Sequence, residues 1–204
     1  MPLVAHRTVR LILPSSLCHQ HPALRNGKHT ERREFKLMAK KNKQKTKTEA
    51  VKNPLYKAYF DGSCGPRNPG GTAAYGSVIF RQKERIWECS EVYHPPLGRE
   101  RQTSNNLAEY LGLIAILEQF IHIGAQHELI MVYGDSNLVI QQMLGRWKIK
   151  EGIYEPFAQR AKVLTNEFSN IGWQWIPRGQ NIIADGLSKA HLASEKKQYW
   201  ITME

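Results

Sequence analysis

Tyr56-Lys57-Ala58-Tyr59-Phe60-Asp61-Gly62-Ser63 is the stretch from which the fold can be read. From Leu55 to Phe60 the residues alternate, with Tyr56, Ala58 and Phe60 on one face and Lys57, Tyr59 and Asp61 on the other. That period of two is a strand, and it runs into an acidic Asp-Gly turn signal. Two more strands are expected near Thr72 to Phe80 and Arg85 to Tyr93, joined by a polar turn at Gln82 to Glu84, as an antiparallel meander. Residues 104–123 then place Tyr110, Leu113, Leu117 and Phe120 at helical spacing, with Thr103 or Ser104 as the cap and Gly124 just past the end. The continuous apolar run from Leu129 to Tyr133 suits a strand buried on both faces of a parallel pairing, and it ends at Asp135. A short helix at Asn137 to Leu144, a longer one at Glu155 to Phe168, a strand at Gly172 to Ile176 and a helix from Asn181 to His191 complete an α/β pattern.

Four acids stand between these elements: Asp61, Glu109, Asp135 and Asp185. Taken singly, each has an ordinary reading. Asp61 and Asp135 suit turns at strand ends, Glu109 a first helical turn and Asp185 a solvated helix face. Taken together, a fold that gathers them would concentrate negative charge that cannot persist in a partly buried site without cations. Hard oxygen ligands of this kind select Mg²⁺, with Mn²⁺ as a substitute, so the pattern points to two-metal phosphodiester chemistry.

In their order these motifs resemble the ribonuclease H family, type 1. The first strand ends in D-G-S (Asp61-Gly62-Ser63) and its loop in N-P-G (Asn68-Pro69-Gly70). A helix opening T-x-N-N-x-x-E follows, with Thr103, Asn105, Asn106 and Glu109. A strand then runs into Asp135-Ser136, and a final helix carries A-D-x-L-[AS] from Ala184 to Ser188. The resemblance covers roughly residues 55–193 and implies a ribonuclease H-like fold, a five-stranded mixed sheet flanked by helices on both faces. It further implies hydrolysis of the RNA strand of RNA/DNA hybrids, leaving 5′-phosphate and 3′-hydroxyl ends. In that reading Asp61 bridges two ions, Asp185 holds the ion on the nucleophile side, and Glu109 and Asp135 complete the leaving-group side.

The same resemblance nominates hybrid-contacting residues. Asn105 and Asn106 match paired asparagines that touch both strands in the minor groove, where the 2′-hydroxyl distinguishes RNA from DNA. Ser63, Cys64 and Asn68 in the following loop are expected near the RNA sugars, with Ser104 beside them, and Asn137 stands where many relatives carry Gln. The competing reading of these amides is local capping or turn formation. Many relatives also carry a mobile His between the last strand and helix. Here that loop is only Pro177-Arg178-Gly179-Gln180-Asn181, with Arg178 the nearest replacement, a phosphate contact or a plain surface charge. The short form resembles a compact bacterial and archaeal branch without the basic protrusion. In place of that protrusion stands Gly145 to Lys150, where Trp147 could stack on a base or sugar between Arg146 and Lys148, or could equally be a core or hinge aromatic. A binding module without cleavage, or a structure-specific nuclease on the same fold, are the rival classes. The four acids argue against the first, and the paired asparagines with the D-G-S to N-P-G loop against the second.

Charge divides the chain unevenly. The whole chain carries +11, yet residues 1–53 hold thirteen Lys or Arg against three Glu, a net of +10. This leaves residues 54–195, the expected catalytic domain, and the 196–204 tail almost neutral. The Ala39 to Asn53 run of Lys, Thr, Gln and Asn cannot bury a core and is expected to be disordered. The extension reads as a solvated linker, as an arm that collects polyanions, as a mitochondrial transit peptide, or as sequence preceding a true start at Met38. No apolar stretch reaches bilayer length, so no membrane partner is expected. Cys18, Cys64 and Cys89 show neither metal-type nor redox-type spacing, which suits a reducing compartment, and a cytoplasmic monomer is expected. A chain beginning near residue 53 should keep saturated turnover on hybrid but bind it more weakly at low salt. Each lost phosphate contact lowers the slope of log affinity against log salt by roughly 0.7 to 0.9, and an unchanged slope would make the extension a passenger.

Overall fold

The computed structural model describes residues 53–99 and 101–190, so the basic extension before residue 53, including Cys18 and Met38, and the chain from His191 onward lie outside the described residues. Five strands form one sheet: β1 (Tyr56–Gly65), β2 (Thr72–Arg81), β3 (Glu84–Tyr93), β4 (Ile130–Gly134) and β5 (Ile171–Trp175). They lie in the order β3-β2-β1-β4-β5. β1, β2 and β3 make an antiparallel meander, while β4 and β5 extend it in parallel from the other side of β1. This is the expected mixed sheet.

Helix α1 (Asn105–His122) follows the meander, α2 (Asn137–Met143) and α3 (Glu155–Thr165) follow β4, and α4 occupies residues 182–190. The α1 helix starts where Ser104 adopts an extended backbone and its hydroxyl accepts from the Leu107 N–H, so Ser104 rather than Thr103 is the cap. Past its end Gly124 takes a positive φ of 72°, a conformation glycine adopts without a Cβ penalty. The face of α1 bearing Tyr110, Leu113, Ile116, Leu117 and Phe120 is fully buried against Ala58, Phe60, Ile79, Ile130 and Val132. Each such side chain withdrawn from water contributes about 1.5–3 kcal/mol before the opposing conformational entropy is counted. Tyr56 and Phe120 meet edge to face at 5.4 Å, which locks the far end of the helix to the first strand.

Among the described residues the expected boundaries hold to within three residues, except at β1, and the expected end of the last helix at His191 lies outside them. Strand β1 does not stop at Asp61: it runs on to Gly65, because Asp61 to Gly65 pair with Thr72 to Gly76 of β2. Only the parallel half of its pairing stops at Phe60, opposite Gly134. Asp61 is therefore held on a paired strand rather than in a turn.

Two glycines set how closely helices approach this strand pair. A Cβ on Gly62 would lie 2.1 Å from the Glu109 nitrogen, and one on Gly76 would lie 2.4 Å from the Ser188 nitrogen and 2.5 Å from the Ala184 oxygen. In both cases the obstacle includes backbone, which cannot rotate away. Gly62→Ala should therefore destabilise by about 1–3 kcal/mol or more and part α1 from β1, read as a lowered denaturant midpoint. Gly179→Ala, where an added Cβ meets nothing within 4 Å, should stay within about 0.5 kcal/mol of wild type.

Candidate active site

Register, rather than turn chemistry, builds the site. β1 and β4 run parallel with Phe60 opposite Gly134, so the next residues, Asp61 and Asp135, leave the ladder side by side. Such carboxyl ends of parallel strands are where open α/β sheets gather functional groups. The Gly62 contact brings the second turn of α1 over β1 and places Glu109 beside them. One carboxylate oxygen from each of Asp61, Glu109 and Asp135 lies within 4.8 Å of the others.

Two of these acids are buried as well as close, and Asp135 is partly buried. Asp61 is 2% exposed and Glu109 4%. Burial raises the Asp61 carboxyl to about 6; a hydrogen bond from Ser188 opposes the rise and the charges of Asp135 and Asp185 reinforce it. Burial also lifts Glu109 well above the ordinary carboxylate range, with the charges of Asp61 and Asp135 adding to it. The Glu109 Oε1 receives a long 3.4 Å contact from the Asn105 amide, while its buried Oε2 has no hydrogen-bond partner among the described residues. An unpartnered buried carboxylate oxygen costs about 1–3 kcal/mol or more and needs a proton or a cation. Three convergent hard oxygen donors, one of them unmet, fit a Mg²⁺ or Mn²⁺ site.

Asp185 is not in that cluster. It sits on α4 with its carboxylate divided between Arg178 and Lys189, each at 2.5 Å. Partial desolvation pushes this carboxyl up, but hydrogen bonds from Lys189 and Arg178 outweigh it and hold the group below the ordinary range. Both cations are largely solvent-exposed, so these pairs add little to stability.

A family model described as reverse transcriptase-like matches residues 60–191. Among solved structures, the chain is 31% identical to RNase H1 from the halophilic archaeon Halobacterium salinarum, with a TM-score of 0.58 over 68% of this chain and 98% of that one. It is also 31% identical to LC11-RNase H1, crystallised in complex with an RNA/DNA hybrid, with a TM-score of 0.55 over 65% of this chain and 92% of that one. The chain belongs to the ribonuclease H family, type 1. A bifunctional protein of Mycobacterium tuberculosis is 33% identical over 132 residues, 65% of this chain, and the matched part is only 34% of that protein's length.

Within this ribonuclease H fold the other nominated residues fall around the acids in different ways. The Ser63 hydroxyl donates to the Ser188 carbonyl at 2.7 Å, tying β1 to α4. The Cys64 thiol donates to the Arg67 carbonyl at 3.2 Å. Asn68 uses its Oδ1 to accept from the Asn105 backbone at 3.0 Å, joining the loop to the start of α1. Asn106 is half-buried next to Asn105 on the first turn. The Asn137 Oδ1 accepts from Gln141 at 3.1 Å, one turn along α2. Trp147 is 49% exposed, which favours the surface reading over the core one. Its loop is anchored from beneath by Gln142, which takes a hydrogen bond from Tyr110 at 2.6 Å and gives one to the Lys148 carbonyl at 2.9 Å. Trp173 is buried, whereas the half-exposed Trp175 donates its indole N–H to the Asp135 carbonyl at 3.0 Å.

Two residues that sequence reasoning did not single out for the site touch the clustered acids Asp61 and Asp135. Ser188 donates its hydroxyl to Asp61, and Asn181 donates its amide to Asp135. The first could have been suspected from its place in the Ala184 to Ser188 motif. Nothing in the sequence marks the second.

The raised carboxyls fix a pH dependence. Because the folded Asp61 pKa, about 6, exceeds the ordinary 3.8, its protonation supports the metal-free fold fully below about pH 4, and this support is lost as pH rises through 6. Glu109 acts in the same direction. In chelator, Asp61→Asn should thus be more stable than wild type at pH 8, by on the order of 1–3 kcal/mol, and lose that advantage by pH 4. Thermal unfolding at the two pH values measures it, and equal midpoints at pH 8 would contradict the charge-repulsion account.

Proposed function

We propose that this chain hydrolyses the RNA strand of RNA/DNA hybrids, giving 5′-phosphate and 3′-hydroxyl ends, with two divalent ions held by Asp61, Glu109, Asp135 and Asp185. The observation that carries the proposal is the convergence of three carboxylates, two of them buried and with raised proton affinity, on the fold of proteins named RNase H1. One of those relatives is known in complex with an RNA/DNA hybrid, which supports the same substrate here. Mg²⁺ is the proposed ion and Mn²⁺ its substitute. When bound, such ions neutralise the phosphate charge and make water easier to ionise.

The chain's own groups supply the rest. Asp61, central to the cluster and hydrogen-bonded by Ser188, would be a ligand of both ions. Asp185 lies near enough to Asp61 for their charges to interact, and a turn away from Arg178 and Lys189 would free its oxygens. Arg178, released in that exchange, would meet a substrate phosphate and take over from the mobile His of many relatives. Asn105 and Asn106, on the first turn of α1 beside Glu109, would read the 2′-hydroxyl side of the minor groove, with the Ser63 to Asn68 loop and Ser104 next to them. Asn137 and Trp147 would extend the contact along the duplex from the α2 side. The described cysteines, Cys64 and Cys89, are free, which suits a reducing compartment such as the cytoplasm. No helix among the described residues is long and apolar enough to cross a membrane.

Cleavage of labelled hybrid in Mg²⁺ tests this reading directly. Asp61→Asn should fall to the level of chelator-treated wild type while still binding hybrid, because the carboxylate goes but the minor-groove surface stays. Arg178→Ala should lose roughly tenfold, the contribution of one charge-assisted hydrogen bond, and keep its dependence on the ion. Near wild-type cutting by Asp61→Asn, or cutting in chelator, would remove the metal-dependent reading.

A further inference from the structure

Asn181 lies between the last short 3₁₀ turn (Arg178–Gln180) and α4, and is 1% exposed. Its backbone carbonyl accepts from the Asp185 N–H at 3.0 Å, so it is the residue that begins α4. An asparagine in that position ordinarily turns its side-chain oxygen back to cap its own helix. This one does not. Its Nδ2 donates to the Phe60 carbonyl at 2.8 Å and to Asp135 Oδ1 at 3.0 Å, while its Oδ1 is left without a partner among the described residues.

Both neighbours of the Nδ2 are acceptors, so the amide can face them only with its nitrogen, and both of its hydrogens are used. The side chain gives up a local cap, and leaves its own oxygen unmet, to join three segments that carry the acids. Phe60 is the residue before Asp61, Asp135 is an acid of the cluster, and Asp185 hangs from the Asn181 carbonyl. The nearby Trp175 indole holds the Asp135 backbone, whereas the Asn181 amide reaches the Asp135 carboxylate itself.

We propose that Asn181 is a positioning residue for the metal site: its amide fixes the rotamer of Asp135 and the spacing between β1 and β4, so that the Asp135 carboxylate is presented to a divalent ion already aligned with Asp61. This rests on the reading of the carboxylate cluster as a metal site. Groups that orient metal ligands from behind cost about 10–100-fold in metal affinity or activity when removed.

The test is Mn²⁺ binding to the full chain, without hybrid, by calorimetry or paramagnetic resonance. It compares wild type, Asn181→Ala, Asp135→Asn and the double variant. Asn181→Ala should weaken Mn²⁺ binding by about 10–100-fold and leave hybrid affinity in chelator unchanged. In the Asp135→Asn background the same replacement should add little, because the group it orients is already altered. Should Asn181→Ala fail to fold, Asn181→Ser serves, since its shorter hydroxyl can cap α4 but falls short of both acceptors, and the same loss is expected. Wild-type Mn²⁺ affinity in a folded Asn181 variant, or an undiminished loss in the Asp135→Asn background, would overturn the positioning role alone. Failure of the wild type itself to take up Mn²⁺ would instead overturn the metal reading on which it rests.

Discussion

The parallel pairing of β1 with β4 is the constraint from which the site follows. With Phe60 opposite Gly134, the next residue on each strand is an aspartate, and the two carboxylates emerge as neighbours whatever the loops do. A shift of one residue in this register would carry the side chains of one strand to the opposite face of the sheet. It would separate Asp61 from Asp135 and turn Ala58 and Phe60 away from α1. The same register therefore buries the core and collects the charge, so the fold and the candidate site cannot be altered independently.

Close approach does the rest. Helix α1 can set Glu109 against the strand pair only because Gly62 presents no side chain, and α4 can lie across β2 only because Gly76 presents none. Once α4 is seated, Ser63 and Ser188 tie it to β1, and Ser90 bonds the Leu187 carbonyl at 2.6 Å from the edge strand. Three elements distant in sequence thus meet at one end of the sheet, held by close backbone approach and by short serine side chains rather than by long flexible ones. Such rigidity suits a site whose groups repel one another, because carboxylates on mobile loops would simply move apart.

Much of this arrangement is legible in the amino-acid sequence itself. The alternation around Phe60, the helical spacing from Tyr110 to Phe120 and the apolar run leading to Asp135 each report a local period, and the elements form where those periods lie. Three of the four acids also meet as expected. What the sequence conceals depends on partners far away in the chain. The continuation of β1 past Asp61 follows from its pairing with β2, since Asp-Gly-Ser taken locally looks like a turn. The Asp185 ion pairs with Arg178 and Lys189 depend on the rotamers of three side chains that reach into solvent, which no sequence period encodes. Asn181 looks like an ordinary loop amide because its two acceptors lie 121 and 46 residues away.

The distribution of compensating charge separates the inner acids from Asp185. Asp185 already has two cations against it, is only partly buried, and sits below its ordinary pKa. Glu109 and Asp61 are buried, sit above theirs, and have a serine hydroxyl and a distant asparagine amide as their side-chain partners. The unmet negative charge is therefore concentrated among β1, α1 and β4, where the elements are packed backbone to backbone and the acids cannot retreat. At α4 the charge is met by side chains that can leave. An incoming cation gains most at the inner acids, where it replaces protons and repulsion, and least at Asp185, where it must displace Arg178 and Lys189. The asymmetry arises from burial: the sheet fixes the inner acids in place, whereas the Asp185 partners reach it from solvent.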